Sequence, residues 1–118
     1  MFEKRKILFV EDDMSEIQSI SSLLKSLGAE FVHTASVSEA IRELIQQRYD
    51  YLLTDLHIET KAGFERPDGL IVIRSAIEQQ LNITIVATSS DPRTEIVDAA
   101  LAAGAHHFFF IALVVVVG

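Results

Sequence analysis

Three short segments of this 118-residue chain end in side chains that carry oxygen. ILFVEDD runs from Ile7 to Asp13, YLLTD ends at Asp55, and IVATSS ends in Thr88, Ser89 and Ser90. Two unit charges about 4 Å apart repel by roughly 4 kcal/mol at an effective dielectric near 20. Glu11, Asp12 and Asp13 are therefore costly neighbours unless water or a cation relieves them. Taken singly, each segment is an ordinary turn, since Asp and Ser are common where strands end. On a common edge, however, Glu11, Asp12 and Asp55 beside the hydroxyl of Thr88 or Ser89 make a set of hard oxygen ligands. Such a set suits Mg²⁺, which is typically held by one or two carboxylates together with phosphate and water oxygens.

A parallel sheet would bring the three segments to one edge. Ile7, Leu8, Phe9 and Val10 show no alternation, as expected of a strand buried on both faces. Short apolar runs then alternate with helical patterns along the chain. DDMSEIQSISSLLKSLG places Ile17, Ile20, Leu24 and Leu27 on one helical face, with Gly28 where a left-handed C-cap belongs. Asp13 and Glu16 have the spacing of a capping box at its start. AEFVHTA reads as a second strand. Ser36 and Glu39 open the next helix in capping-box spacing, followed by Ala40, Ile41, Leu44 and Ile45 as a buried stripe.

YLLTD is the third strand, and Leu70, Ile73 and Ile77 mark the third helix. ITIVATSS is the fourth strand. Asp91 and Pro92 read as the N-cap and first turn of a fourth helix ending at Gly104, and HHFFFI begins the fifth strand. This alternation predicts one domain over residues 1–118, an α/β fold with a five-stranded parallel sheet and helices on both faces. Ligands in such doubly wound sheets bind beyond the C-terminal ends of the strands, where strand order reverses.

Composition narrows the function. The chain is 49% hydrophobic with a net charge of −7, which excludes a disordered chain and gives no footprint for nucleic acid. With no cysteine, disulfides and thiolate metal sites are excluded. The basic start is followed by too short an apolar run for a signal peptide, so a cytoplasmic setting is expected. The apolar run from Phe108 to Val117 falls short of the about 20 residues of a membrane-spanning helix, so no membrane partner is expected. His106 and His107 point to opposite faces of a strand and chelate poorly, and His33 and His57 are isolated.

In their order and spacing, ILFVEDD, YLLTD, PDGL, IVATSS and AAGAHHFF resemble the receiver domain of two-component response regulators, over nearly the whole chain to Phe110. The resemblance implies a flavodoxin-like fold and a phosphoacceptor signalling module rather than an enzyme. Asp55 would take a phosphoryl group from a histidine kinase or phosphotransfer protein and drive a conformational switch. Glu11 and Asp12 would arrange Mg²⁺ together with Asp55, Asp12 being the more direct ligand, and His57 would add its backbone carbonyl. Counting back from Gly104 without a gap makes Ser89 the switch hydroxyl, with Thr88 as the alternative. Phe108 matches the family's aromatic switch position.

Three departures stand out. Where the family carries a lysine-proline pair after the fifth strand, this chain has Ile111 and Ala112, and no lysine or arginine follows Arg93. A pseudo-receiver, acting as a phosphorylation-independent interaction or dimerisation module, is the alternative this suggests. The stretch from His57 to Asp68 is about six residues longer than the family's usual loop, where exposed charges are ordinarily solvated. Either Lys61 or Arg66 within it is a candidate to supply the missing cation. Lastly, residues 111–118 are an apolar tail without a helical polar face, so the final helix is expected to be absent or atypical. Apolar surface left uncovered there predicts a homodimer through the fourth helix and fifth strand.

Overall fold

In the computed structural model, which describes residues 5–59, 65–66, 68–89 and 93–110, the first apolar run becomes β1 (Lys6–Val10). Its Leu8, Phe9 and Val10 are at most 1% exposed, so both faces of the strand are covered. Then follow α1 (Met14–Ser26), β2 (Glu30–Thr34), α2 (Val37–Gln46) and β3 (Tyr51–Asp55). A short pair, β4 (Ile58–Glu59) and β5 (Glu65–Arg66), precedes α3 (Gly69–Gln79). β6 (Thr84–Ser89), α4 (Thr94–Ala103) and β7 (His107–Phe110) complete the described chain.

The main sheet has five strands in the order β2-β1-β3-β6-β7, all parallel, as the alternation of elements predicts. After β2 the chain passes over β1 to β3, which puts the reversal of strand order between β1 and β3. The right-handed crossover rule sets α1 on one face and α2, α3 and α4 on the other. On that second face α3 packs against both α2 and α4. Leu8, Val10, Leu52 and Ile85 of the sheet meet Ala40, Leu44, Val72, Ile73 and Ala76 of the helices in one core. Among the described residues, no helix is long and apolar enough to cross a membrane.

Helix ends follow the expected chemistry with informative exceptions. Asp13 caps α1, its Oδ1 accepting from the N–H groups of Ser15 at 2.9 Å and Glu16 at 3.1 Å. Gly28, at φ 72°, closes α1 in the left-handed region that glycine tolerates. At α2 the Ser36 hydroxyl accepts from Glu39 N–H, but the Glu39 carboxylate accepts from Ala35 N–H, one residue earlier than the capping box predicts. Leu27 and Ile45 leave their predicted stripes and are 71% and 62% exposed. Leu27 is the C-cap, where the helix ends, and Ile45 lies a further 100° round the helix from buried Leu44.

Arg93, without a side-chain cap bond, precedes α4, and Asp91 and Pro92 lie outside the described residues. Before β7, His106 pairs with β6 twice: its N–H donates to Ile85 O at 2.8 Å, and its Nδ1 accepts from Ile85 N–H at 2.9 Å. Within the long stretch after His57, β4 and β5 pair antiparallel, with Ile58 opposite Arg66 and Glu59 opposite Glu65. Lys61 and the tail 111–118 lie outside the described residues, and Arg66 is described only by its strand backbone.

Gly69 opens α3 against the end of β3. Its N–H donates to Leu56 O at 3.1 Å. A Cβ there would fall 2.2 Å from Asp55 O and 2.7 Å from the Leu56 Cα, both backbone atoms. Gly69→Ala is therefore expected to lower the unfolding free energy by about 1–3 kcal/mol, the usual range for overpacking. Urea unfolding followed by far-ultraviolet circular dichroism measures it.

Candidate functional site

Parallel register brings the acidic residues together. Val10 pairs with Thr54 in the β1–β3 ladder, so Glu11 and Asp55 follow side by side at the C-terminal edge. This is where strand order reverses, the place where such sheets bind ligands. Glu11, Asp12 and Asp55 each offer a carboxylate oxygen, and these atoms lie within 4.8 Å of one another. The three predicted metal-ligating side chains thus share one site.

Glu11 is held firmly and is fully buried, at 0% exposure. Its N–H donates to Thr34 O at 3.1 Å, and its carbonyl accepts from His33 Nε2 at 2.8 Å. The side chain folds back so that Oε1 accepts from the N–H groups of Asp12 at 3.1 Å and Asp13 at 3.0 Å. Oε2 is buried without a hydrogen-bond partner. A buried acceptor left in that condition costs about 1–3 kcal/mol, and more if charged. A cation beside Asp12 and Asp55 would satisfy it, so this donor set fits a hard divalent ion.

Electrostatics agree with that account. Burial, contact with the Glu16 carboxyl and the Asp55 charge push the Glu11 carboxyl up to about 9, although the Asp13 N–H opposes them. Asp55 is pushed up to about 6, first by burial and then by the charges of Glu16 and Asp12, while the His57 N–H and imidazole pull it down. That N–H lies 3.3 Å from Asp55 Oδ1. Glu16 was expected to complete a capping box with Asp13. Instead Asp13 N–H bonds Glu11, and the Glu16 carboxyl adds negative charge to the site.

The two hydroxyl candidates differ in their surroundings. Thr88 is the register partner of Asp55, and its hydroxyl donates to Thr54 O at 3.4 Å within the sheet. Ser89, 1% exposed, ends β6 with its Oγ 3.3 Å from His57 Nδ1. The His57 ring, read from sequence as isolated, therefore meets a hydroxyl at the site. His33 likewise gains a role by bracing the Glu11 carbonyl. Its place opposite Phe9 in the β1–β2 register is the only signal that leads to it, and the register emerges only from the fold. Phe108 is half-buried on β7 opposite Ala87, packed against the core. Ser90 lies outside the described residues.

The family model for the response regulator receiver domain matches residues 7–110. The chain belongs to this family. Receiver domains are signalling modules that work with histidine kinases. No curated protein sequence matches the chain. Among solved structures, the chain is similar to a CheY-like receiver domain protein of Methanospirillum hungatei JF-1 at 19% identity, covering 92% of this chain and 82% of that one, with a TM-score of 0.79. It is also similar to the receiver domain of a sensor histidine kinase from Pseudomonas aeruginosa PAO1, whose active-site cleft coordinates magnesium. That match has 26% identity, covers 92% of this chain and 85% of that one, and has a TM-score of 0.75. A two-component response regulator of Clostridium difficile matches at 19% identity, over 93% and 85% of the two chains, with a TM-score of 0.80.

The raised carboxyls of the receiver domain have a stability signature. Both hold protons more tightly when folded than unfolded. Their contribution is complete at low pH and is lost as pH rises through about 6 for Asp55 and about 9 for Glu11. The melting temperature of the metal-free protein is expected to fall across this window, and Glu11→Gln to flatten its upper part. Scanning calorimetry of both proteins across that pH range, with chelator, checks this.

Proposed function

We propose that this receiver domain, over residues 1–118, accepts a phosphoryl group on Asp55 from a histidine kinase or phosphotransfer protein in the cytoplasm. Mg²⁺ would be held by Glu11, Asp12, Asp55 and the backbone carbonyl of His57. The observation that carries this reading is the buried, unpartnered Oε2 of Glu11 beside Asp12 and Asp55. The magnesium in the cleft of the Pseudomonas relative supports the same assignment. Bound there, the ion supplies charge neutralisation for the phosphoryl oxygens.

The protein's own residues do the rest. Asp55 is the nucleophile: one carboxylate oxygen forms the new P–O bond as the P–N bond to the donor imidazole breaks, and that imidazole keeps the electron pair. At about 6, its raised pKa still leaves Asp55 ionised at neutral pH. The His57 N–H on Oδ1 orients the carboxylate. Phosphoryl transfer depends chiefly on such alignment and on charge. Ser89 would then donate to a phosphoryl oxygen, and Phe108 on the adjacent strand would follow its movement. Thr88 is the alternative, and its hydroxyl donates to Thr54 O within the sheet.

With Mg²⁺ and a small phosphodonor such as acetyl phosphate, intact mass spectrometry is expected to show one phosphoryl adduct on the wild type and none on Asp55→Asn. Ile111 and Ala112, where the family has its lysine-proline pair, favour the second reading, a pseudo-receiver. No adduct on the wild type at saturating donor would select that reading.

The homodimer rests on exposed Leu101 of α4 with exposed Phe109 and Phe110 of β7. Sedimentation equilibrium is expected to show a monomer–dimer equilibrium that Phe109→Ser with Phe110→Ser shifts to monomer. A wild type that stays monomeric at high concentration would refute it.

A further inference from the structure

His57 touches the site in two ways. Its backbone N–H lies 3.3 Å from the Oδ1 of Asp55, and its Nδ1 lies 3.3 Å from the Oγ of Ser89. Ser89 is nearly inaccessible to solvent, so protein atoms decide what its hydroxyl bonds to. A serine hydroxyl has one proton to donate, and a neutral imidazole has one acceptor nitrogen. A phosphoryl oxygen on Asp55 would need that same proton.

We propose that His57 is a positioning residue that latches the switch hydroxyl: Ser89 donates to Nδ1 while Asp55 is bare and must leave the ring to reach a phosphoryl oxygen. The inference rests on the phosphoacceptor reading above and adds what opposes the switch. The two hydrogen bonds are alternatives, so the ring adds to the cost of switching without touching the phosphoryl group. Thr88 is outside this competition, because its hydroxyl turns to a carbonyl within the sheet. The latch also stands at the root of the hairpin, since Ile58 opens β4 directly after His57.

Two measurements test the latch. The first needs no phosphoryl chemistry: nitrogen-15 correlation spectra of the imidazole rings, in mildly alkaline buffer, for wild type and Ser89→Ala. The His57 Nδ1 resonance is expected to move toward that of an acceptor nitrogen without a donor when the hydroxyl is removed. An unchanged resonance overturns the latch. The second measures binding of the phosphoryl mimic beryllium fluoride, with Mg²⁺, by titration calorimetry.

His57→Phe keeps a ring and removes the acceptor, so it is expected to tighten binding about fivefold, the worth of one neutral hydrogen bond. In the Ser89→Ala background the same substitution is expected to change nothing. An equal gain in that background overturns the proposal, because His57 would then act without Ser89. His57→Ala replaces the phenylalanine variant if the latter fails to fold. A wild type that binds no beryllium fluoride overturns the phosphoacceptor reading itself, whatever the ring resonance does.

Discussion

Repulsion among carboxylates at the ends of β1 and β3 is the constraint around which this receiver domain is organised. Parallel pairing sets Glu11 level with Asp55, in the register that buries Leu8, Phe9 and Val10. The sheet's apolar core therefore forces the acids together. The backbone answers with the N–H groups of Asp12 and Asp13 on one Glu11 oxygen and leaves the other bare. Stability has been given up at this edge, as is common where a protein prepares a binding site. A divalent ion held there would convert that cost into affinity.

Much of this was legible in the residues. Short apolar runs marked the five strands of the sheet, and the run of β1 is unbroken because a strand covered on both faces has no reason to alternate. The carboxylates could be placed on one edge as soon as the strands were read as parallel. Helical faces were less secure. Leu27 and Ile45 fit the periodicity but face solvent, since a stripe fixes an arc of the helix and not how far its neighbours cover it. Glu16 shows a deeper limit. Its spacing from Asp13 fits a capping box, yet Glu11 had already taken the Asp13 N–H, a competition between side chains that spacing cannot reveal. The His57 and His33 rings were missed for a related reason: their partners lie 32 and 22 residues away and meet them only through the fold.

His57 and Glu16 also bear on the departure at Ile111 and Ala112. A site without the family's lysine must manage its negative charge by other means. Here Glu16 adds to that charge, and what opposes it at Asp55 comes from His57, through its N–H and its imidazole. With that balance, a divalent ion bound at this site would have more negative charge to offset than at a site with a resident cation.

The contact between Gly69 and the Leu56 carbonyl bears on how the family accommodates length. It pins the two ends of the intervening segment together, so that the segment leaves and re-enters the protein at nearly one point. Chain added between those ends changes neither the reach nor the direction of β3. Its entropic cost also grows slowly, by about 0.6 kcal/mol for each doubling of loop length. The junction behaves as a socket: chain of varied length, here including the β4–β5 pair, fits between its ends without disturbing the carboxylate next to it.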